Sequence, residues 1–124
     1  MTVRFTKEHE WVRMENSLAV CGISDHAQHA LGDIVYVELP PLGKKVKQGD
    51  QVAVVESSKA ASEVYAPVSG TVAAVNDLLS TAPEKINKAA LSEGWIFKLT
   101  PDNVTDAAAL MDETAYEDYV KGLA

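Results

Sequence analysis

A chain of 124 residues has room for one domain and one core, and a composition that is 47% hydrophobic makes a packed interior feasible and disorder unexpected. Eleven lysines and arginines face 18 aspartates and glutamates, a net charge of -7. That balance excludes nucleic-acid binding, which needs a cationic face to displace counterions, and it disfavours an anionic membrane surface. It favours docking onto basic patches of partner proteins. One cysteine, Cys21, precludes an internal disulfide. No apolar run is long enough to span a bilayer, and Met1 to Glu8 has neither an apolar h-region nor Arg/Ser enrichment, so no presequence is expected.

The elements follow in chain order. Thr2 to Phe5, Trp11 to Met14 and Leu18 to Ile23 read as strands. Ser24 then stands as a helix N-cap, with Asp25 in the first turn. Ala27, Ala30 and Leu31 keep helical spacing, and Gly32 is placed to end a short helix over Asp25 to Leu31. Ile34 to Leu39 is strand-like until Pro40-Pro41 stops it. Gln51 to Glu56 is β-rich, Ser57 to Ala61 interrupts it, and Ser62 to Tyr65 resumes it. Thr71 to Val75 is a further strand. Pro83 to Asn87 reads as a helical turn with Pro83 at the first helical position. Ile96 to Leu99 is a strand. Thr105 is expected to cap a helix of about two turns over Asp106 to Met111. Asp112 is expected to cap a last helix whose stripe is Ala115, Tyr116, Tyr119, Val120 and Leu123, ended by Gly122. Short strands separated by frequent turns predict a mainly β sandwich or flattened barrel without βαβ units. Residues 1–124 read as a single domain.

The chemistry is concentrated between Val54 and Gly70. Physically this is a hairpin with Lys59 at or near its tip, flanked by the small residues Ser58 and Ala60, which leave its amine open to a modifying enzyme. Acylation there would replace a charge by a neutral arm. An isolated lysine in a turn is usually no more than a solvated charge. The run Glu56-Ser57-Ser58-Lys59-Ala60-Ala61-Ser62-Glu63-Val64-Tyr65-Ala66-Pro67-Val68-Ser69-Gly70, however, resembles the lipoyl-attachment segment of glycine cleavage H proteins. Further pieces resemble that family in order along the chain. They are His9-Glu10-Trp11-Val12, Gly22 to Gln28, Leu31 to Val35, Val37-Glu38-Leu39-Pro40, Gly43, Gly94-Trp95, and Leu110-Met111-Asp112 to Ala115-Tyr116.

The resemblance implies a lipoyl-type (barrel-sandwich hybrid, hammerhead-like) β-sandwich with a short internal helix and C-terminal helices. It implies a non-catalytic, lipoate-dependent carrier in glycine catabolism, with lipoate in amide linkage to Lys59. Such a carrier moves the aminomethyl group of glycine from a pyridoxal-phosphate-dependent glycine decarboxylase (P protein) to a tetrahydrofolate-dependent aminomethyltransferase (T protein). Dihydrolipoyl dehydrogenase (L protein) reoxidises the arm, and a lipoate ligase or an octanoyl or lipoyl transferase loads it. Glu10 and Glu63 are the matching candidates for groove contacts to the loaded arm, the alternative being ordinary surface carboxylates. Glu56 is expected either to help the modifying enzyme recognise the turn or simply to be exposed. A monomer in the bacterial cytoplasm is expected, or in the mitochondrial matrix if a presequence has been removed.

Two other functions fit the same sandwich: an H-like protein relaying lipoate to other lipoyl enzymes, and an unmodified binding module. A lipoyl domain of a 2-oxoacid dehydrogenase would carry Asp-Lys-Ala, and a biotin carrier Met-Lys-Met; neither stands here. One stretch departs from the family pattern. Where members carry a Pro-Tyr-type loop, this chain has Asn87-Lys88-Ala89-Ala90-Leu91-Ser92-Glu93, whose Ala89-Ala90-Leu91 favours helix. The turn from Pro83 is therefore expected to be lengthened, with no bearing on the lysine. His26 and His29, with His9 as a third, could begin a zinc site, but no cysteine or carboxylate completes it and no metal is expected. Cys21 is expected to be a buried small hydrophobe. No catalytic triad or phosphate-cradling loop is present.

Overall fold

The computed structural model describes residues 2–123; Met1 and Ala124, the ends of the span expected as one domain, lie outside the described residues. Two antiparallel sheets form the body. The larger has the order β1 (Val3–Phe5), β2 (Glu10–Glu15), β3 (Leu18–Ile23), β9 (Phe97–Pro101), β8 (Gly70–Val75) and β5 (Lys45–Val46). The smaller has the order β4 (Ile34–Glu38), β6 (Gln51–Ser57) and β7 (Ala61–Tyr65). This is the sandwich expected from the strand pattern.

Side-chain alternation explains why the sheets close on each other. Val12, Ala19, Cys21, Phe97 and Leu99 from the large sheet meet Val37, Ala53, Val55 and Val64 from the small one in the main core. The opposite face of β2 and β3 carries Trp11 and Val20, which with Phe5 and Tyr116 make a second core under the C-terminal helix. Strands buried on both faces read as near-continuous apolar runs, which is how Leu18 to Ile23 reads.

The helix α1 (Asp25–Leu31) follows the sequence reading to the residue. Its Ser24 cap accepts a bond from the Ala27 N–H, and Gly32 closes it at φ +85. It buries no residue of its own. The last helix, α4 (Glu113–Gly122), is capped by Asp112 as expected, but Gly122 is its last helical residue and Leu123 follows as the cap.

Other expectations need correction. A short helix α2 (Leu78–Thr81), unforeseen from the sequence, precedes the proline turn, and its Asp77 makes no side-chain cap bond. Helix α3 (Lys85–Ala89) begins two residues after Pro83, whose carbonyl instead accepts from the Ile86 N–H. It does run past Asn87, as the alanines predict. The expected two-turn helix ending at Met111 is a single 3-10 turn, Asp106–Ala109. Thr105 does not cap it; its hydroxyl donates to Asn103 Oδ1. The reason is tertiary. Met111 is pulled into an extended bridge with Phe5, through bonds of 2.8 and 3.1 Å, and cannot stay helical.

Helix α3 is held tightly to the large sheet. Trp11 Nε1 donates to the Ala90 carbonyl at 2.9 Å, and Arg13 donates to the Leu91 carbonyl at 2.9 Å. Gly94 lies so close beneath α3 that a methyl there would stand 2.9 Å from the Ile86 Cα and from the Lys85 and Ala89 carbonyl oxygens. These are backbone atoms that cannot yield. Gly94→Ala is therefore expected to destabilise the chain by about 1–3 kcal/mol, read as a lower urea midpoint at unchanged m-value.

Candidate functional site: the Lys59 turn

The β6–β7 hairpin places Lys59 on a three-residue turn, Ser58 to Ala60, in which all three residues are exposed. Ser57, buried at the end of β6, organises the turn. Its hydroxyl accepts from the N–H groups of Lys59 (3.2 Å) and Ala60 (3.0 Å) and donates to the Ala60 carbonyl (3.2 Å). The Ser57 N–H also reaches the Ala60 carbonyl at 2.8 Å. A small hydroxyl residue thus does locally what a longer turn would need several residues to do. The sequence reading placed Ser57 among the small residues interrupting the strand and missed this role. From outside the hairpin, the Asp33 carbonyl accepts the Ser58 N–H at 3.1 Å.

The lysine's stem rests over Gly32. A methyl on that residue would stand 3.2 Å from Lys59 Cε and 3.7 Å from Nζ. Among the described residues, Lys59 takes part in no ion pair within 4 Å; the pairs present are Arg13–Glu15 and Lys85–Glu93. The lysine is therefore exposed on a clamped turn, and among the described residues no carboxylate consumes its amine.

The outward face of the small sheet continues from the turn. Tyr36, Glu56 and Ala61 form one cross-strand row, and Glu38, Val54 and Glu63 the next. Val35 and Tyr36, beside the turn on β4, are both more than half exposed, at 57% and 53%. Glu56 is half-buried in its row.

Glu63 and Glu10 are brought together through one residue. Tyr65 donates its hydroxyl to Glu63 at 2.7 Å and its backbone N–H to Glu10 Oε2 at 3.2 Å. Glu63 is exposed, roughly three strand residues or about 10 Å from the turn. Glu10 is no surface carboxylate: only 2% of it is accessible. Its other oxygen accepts the Thr6 hydroxyl at 2.6 Å. Burial pushes the Glu10 carboxyl above the ordinary range, while the bonds from Thr6 and Tyr65 oppose that rise.

The remaining candidates sit elsewhere. His9 Nδ1 is bonded to the Tyr116 hydroxyl at 2.7 Å, and its ring lies 4.8 Å from that of His26, while His29 is exposed on α1. Among the described residues, no three His, Cys, Asp or Glu groups gather as a metal site. Cys21 is wholly buried and its thiol is pushed up by that burial. Among the described residues, no helix is long and apolar enough to cross a membrane.

Fold and site together define a small β-sandwich that presents one lysine on a clamped hairpin turn. The glycine cleavage H-protein family model matches residues 3–123, and the chain belongs to that family. A glycine cleavage system H protein of Paramagnetospirillum magneticum is 53% identical over 120 residues, covering 97% of this chain and 96% of that protein. One from Thermotoga maritima is 49% identical, covering 94% of each. The crystal structure of a glycine cleavage system H protein from Mycobacterium marinum superposes with a TM-score of 0.86 at 28% identity, covering 98% of this chain and 96% of that one.

Two outcomes test the local physics. Ser57→Ala is expected to cost about 1 kcal/mol in denaturant unfolding, since water can reach the two freed N–H groups. For Glu10 the sign follows from its raised native carboxyl: the folded state holds the proton more tightly than the unfolded one. Its contribution is fully present below the unfolded pKa and is lost as pH rises through the folded value. The unfolding free energy of the wild type relative to Glu10→Gln should therefore fall as pH is raised from the ordinary carboxylate range through the elevated one. A flat or rising difference across matched denaturation curves contradicts this.

Proposed function

We propose that Lys59 is the lipoate attachment point, and that through it this chain serves as the non-catalytic carrier of glycine cleavage. The observation that carries the reading is the exposed Lys59, in no ion pair among the described residues, on a turn clamped by Ser57 and Asp33. That donor fits the group: an amide can form on Nζ without breaking an ion pair, and Gly32 leaves the stem room. Lipoate, when bound, supplies a reducible disulfide at the end of a long neutral arm.

The chain's own residues do the rest. Amide formation removes the Lys59 charge and takes the formal net charge from -7 to -8. The acidic body favours docking against cationic surfaces of the decarboxylase, the aminomethyltransferase, dihydrolipoyl dehydrogenase and the lipoate-attaching enzyme. Docking converts the tethered arm into a locally concentrated reactant. Glu63 offers an exposed carboxylate along β7, suited to hold a cationic amine by a charge-assisted bond. Glu10 lies behind it, holding the Tyr65 backbone. The chain acts as one monomeric carrier domain. The relatives named above are bacterial, and the bacterial cytoplasm is the proposed compartment.

The test uses intact mass and reconstitution. In cells with working lipoylation the wild type should gain one lipoyl adduct, and Lys59→Arg none. Glycine decarboxylation reconstituted with the three partner enzymes should proceed with the wild type and fall to background with Lys59→Arg. An adduct elsewhere, or none, overturns the attachment. An adduct on Lys59 without glycine decarboxylation leaves the relay of lipoate to other enzymes.

A further inference from the structure

We propose that Asn87 is a positioning residue for Lys59, bracing the lysine turn against the large sheet through the loop that joins α1 to β4. The inference rests on the reading of Lys59 as the acylated residue.

Asn87 uses both polar atoms of its side chain on that loop and its two flanks, the end of α1 and the start of β4. Its Oδ1 accepts the Ile34 N–H at 2.9 Å. Its Nδ2 donates to the Gly32 carbonyl and to Gln28 Oε1, each at 2.9 Å. Between Gly32 and Ile34 lies Asp33, whose carbonyl accepts the Ser58 N–H. Gly32 itself lies under the lysine stem. One amide therefore fixes both the floor of the lysine side chain and the carbonyl that holds the residue before it.

The other end of the brace is rigid. Helix α3, which carries Asn87, is fastened to the large sheet by Trp11 and Arg13 at the Ala90 and Leu91 carbonyls, and Gly94 packs against its backbone. Helix α1 packs only the partly buried Ala27 and Leu31 on the main core, so the polar ties from α3 add to a light apolar contact. Removing the Asn87 amide takes a partner from the Gly32 carbonyl and the Ile34 N–H and cuts the tie of the Gly32–Ile34 segment to α3, leaving the burial of Ile34 and its pairing with Ser57 to hold it. The lysine then samples many placements, and an enzyme that must grip the turn binds only the competent fraction. The signature is a weakened KM for the carrier with kcat retained at saturation.

The experiment compares purified, unmodified wild type with Asn87→Ala and Val20→Ala as substrates of a lipoate ligase, with the Ser58 amide exchange rate followed by NMR. Val20 lies in the second core, which contains no residue of the β6–β7 hairpin, so its truncation loosens the fold without removing a contact of the turn. For Asn87→Ala the expected result is a KM raised at least about fivefold with kcat within about twofold. Its Ser58 exchange should quicken at least about tenfold. Val20→Ala should lower the melting temperature and move neither quantity. Where Asn87→Ala does not fold, Asn87→Ser, which keeps a small polar group, should show the same pattern in weaker form. Unchanged KM and Ser58 exchange in the asparagine variant, or equal changes in Val20→Ala, overturn the proposal. A wild type that takes no lipoate on Lys59 overturns the attachment reading instead, and Ser58 exchange still decides whether Asn87 holds the turn.

Discussion

A side chain exposed to water can be placed only by its backbone. That constraint governs this molecule, because its one chemically telling residue makes no ion pair among the described residues that would anchor it. Burial cannot fix Lys59; hydrogen bonds to the turn beneath it must. Ser57 supplies them from within the hairpin, and Asp33 supplies one from outside. The sandwich can be understood as the support for those few bonds. Each of them is modest in water, so their collective geometry matters more than their summed energy.

Helix α1 shows how the support is arranged. With no fully buried residue, it packs only Ala27 and Leu31 on the main core and is also held by polar staples at its two ends. At its start, the Tyr116 hydroxyl of α4 meets Ser24 Oγ at 2.7 Å, while Ser24 also caps the helix. At its end, Asn87 of α3 grips Gln28 and Gly32. The C-terminal helix and α3 thus act on one short element at its two ends, and the loop leaving that element carries Asp33 to the lysine turn.

Much of this was legible from local pattern. The Ser24 cap, the helical spacing and Gly32 mark α1 correctly, because each is a short-range signal. The alternation in β6 and β7 marks the hairpin and its tip. What could not be read depends on partners distant in sequence. Asn87 bonds residues 53 to 59 positions away, so its stretch looked like a departure without consequence for the lysine. Met111 carries a helical neighbourhood and yet is drawn into a bridge with Phe5. Glu10 sits beside Trp11 at the start of a strand, and nothing in that spacing reveals that Thr6 and the Tyr65 backbone would close over its carboxyl.

The division into two cores follows the same logic. The core under α4 gathers Phe5, Trp11, Val20 and Tyr116, the bulkiest group in a chain poor in aromatics. The core between the sheets is built from valines, alanines and a few larger residues, which keeps the small sheet close to the large one. Three of the large aromatics therefore steady the face of the large sheet under α4, and the core between the sheets, with Phe97 as its one large aromatic, carries the small sheet whose hairpin bears the turn. Trp11 joins the two tasks, since its ring fills the second core while its Nε1 fastens the end of α3. A carrier gains from this arrangement. Tethering raises local concentration most when the anchor is rigid and the freedom is confined to the arm, so rigidity is needed at the turn, and the ties that run from it through Asn87 to α3 meet that need.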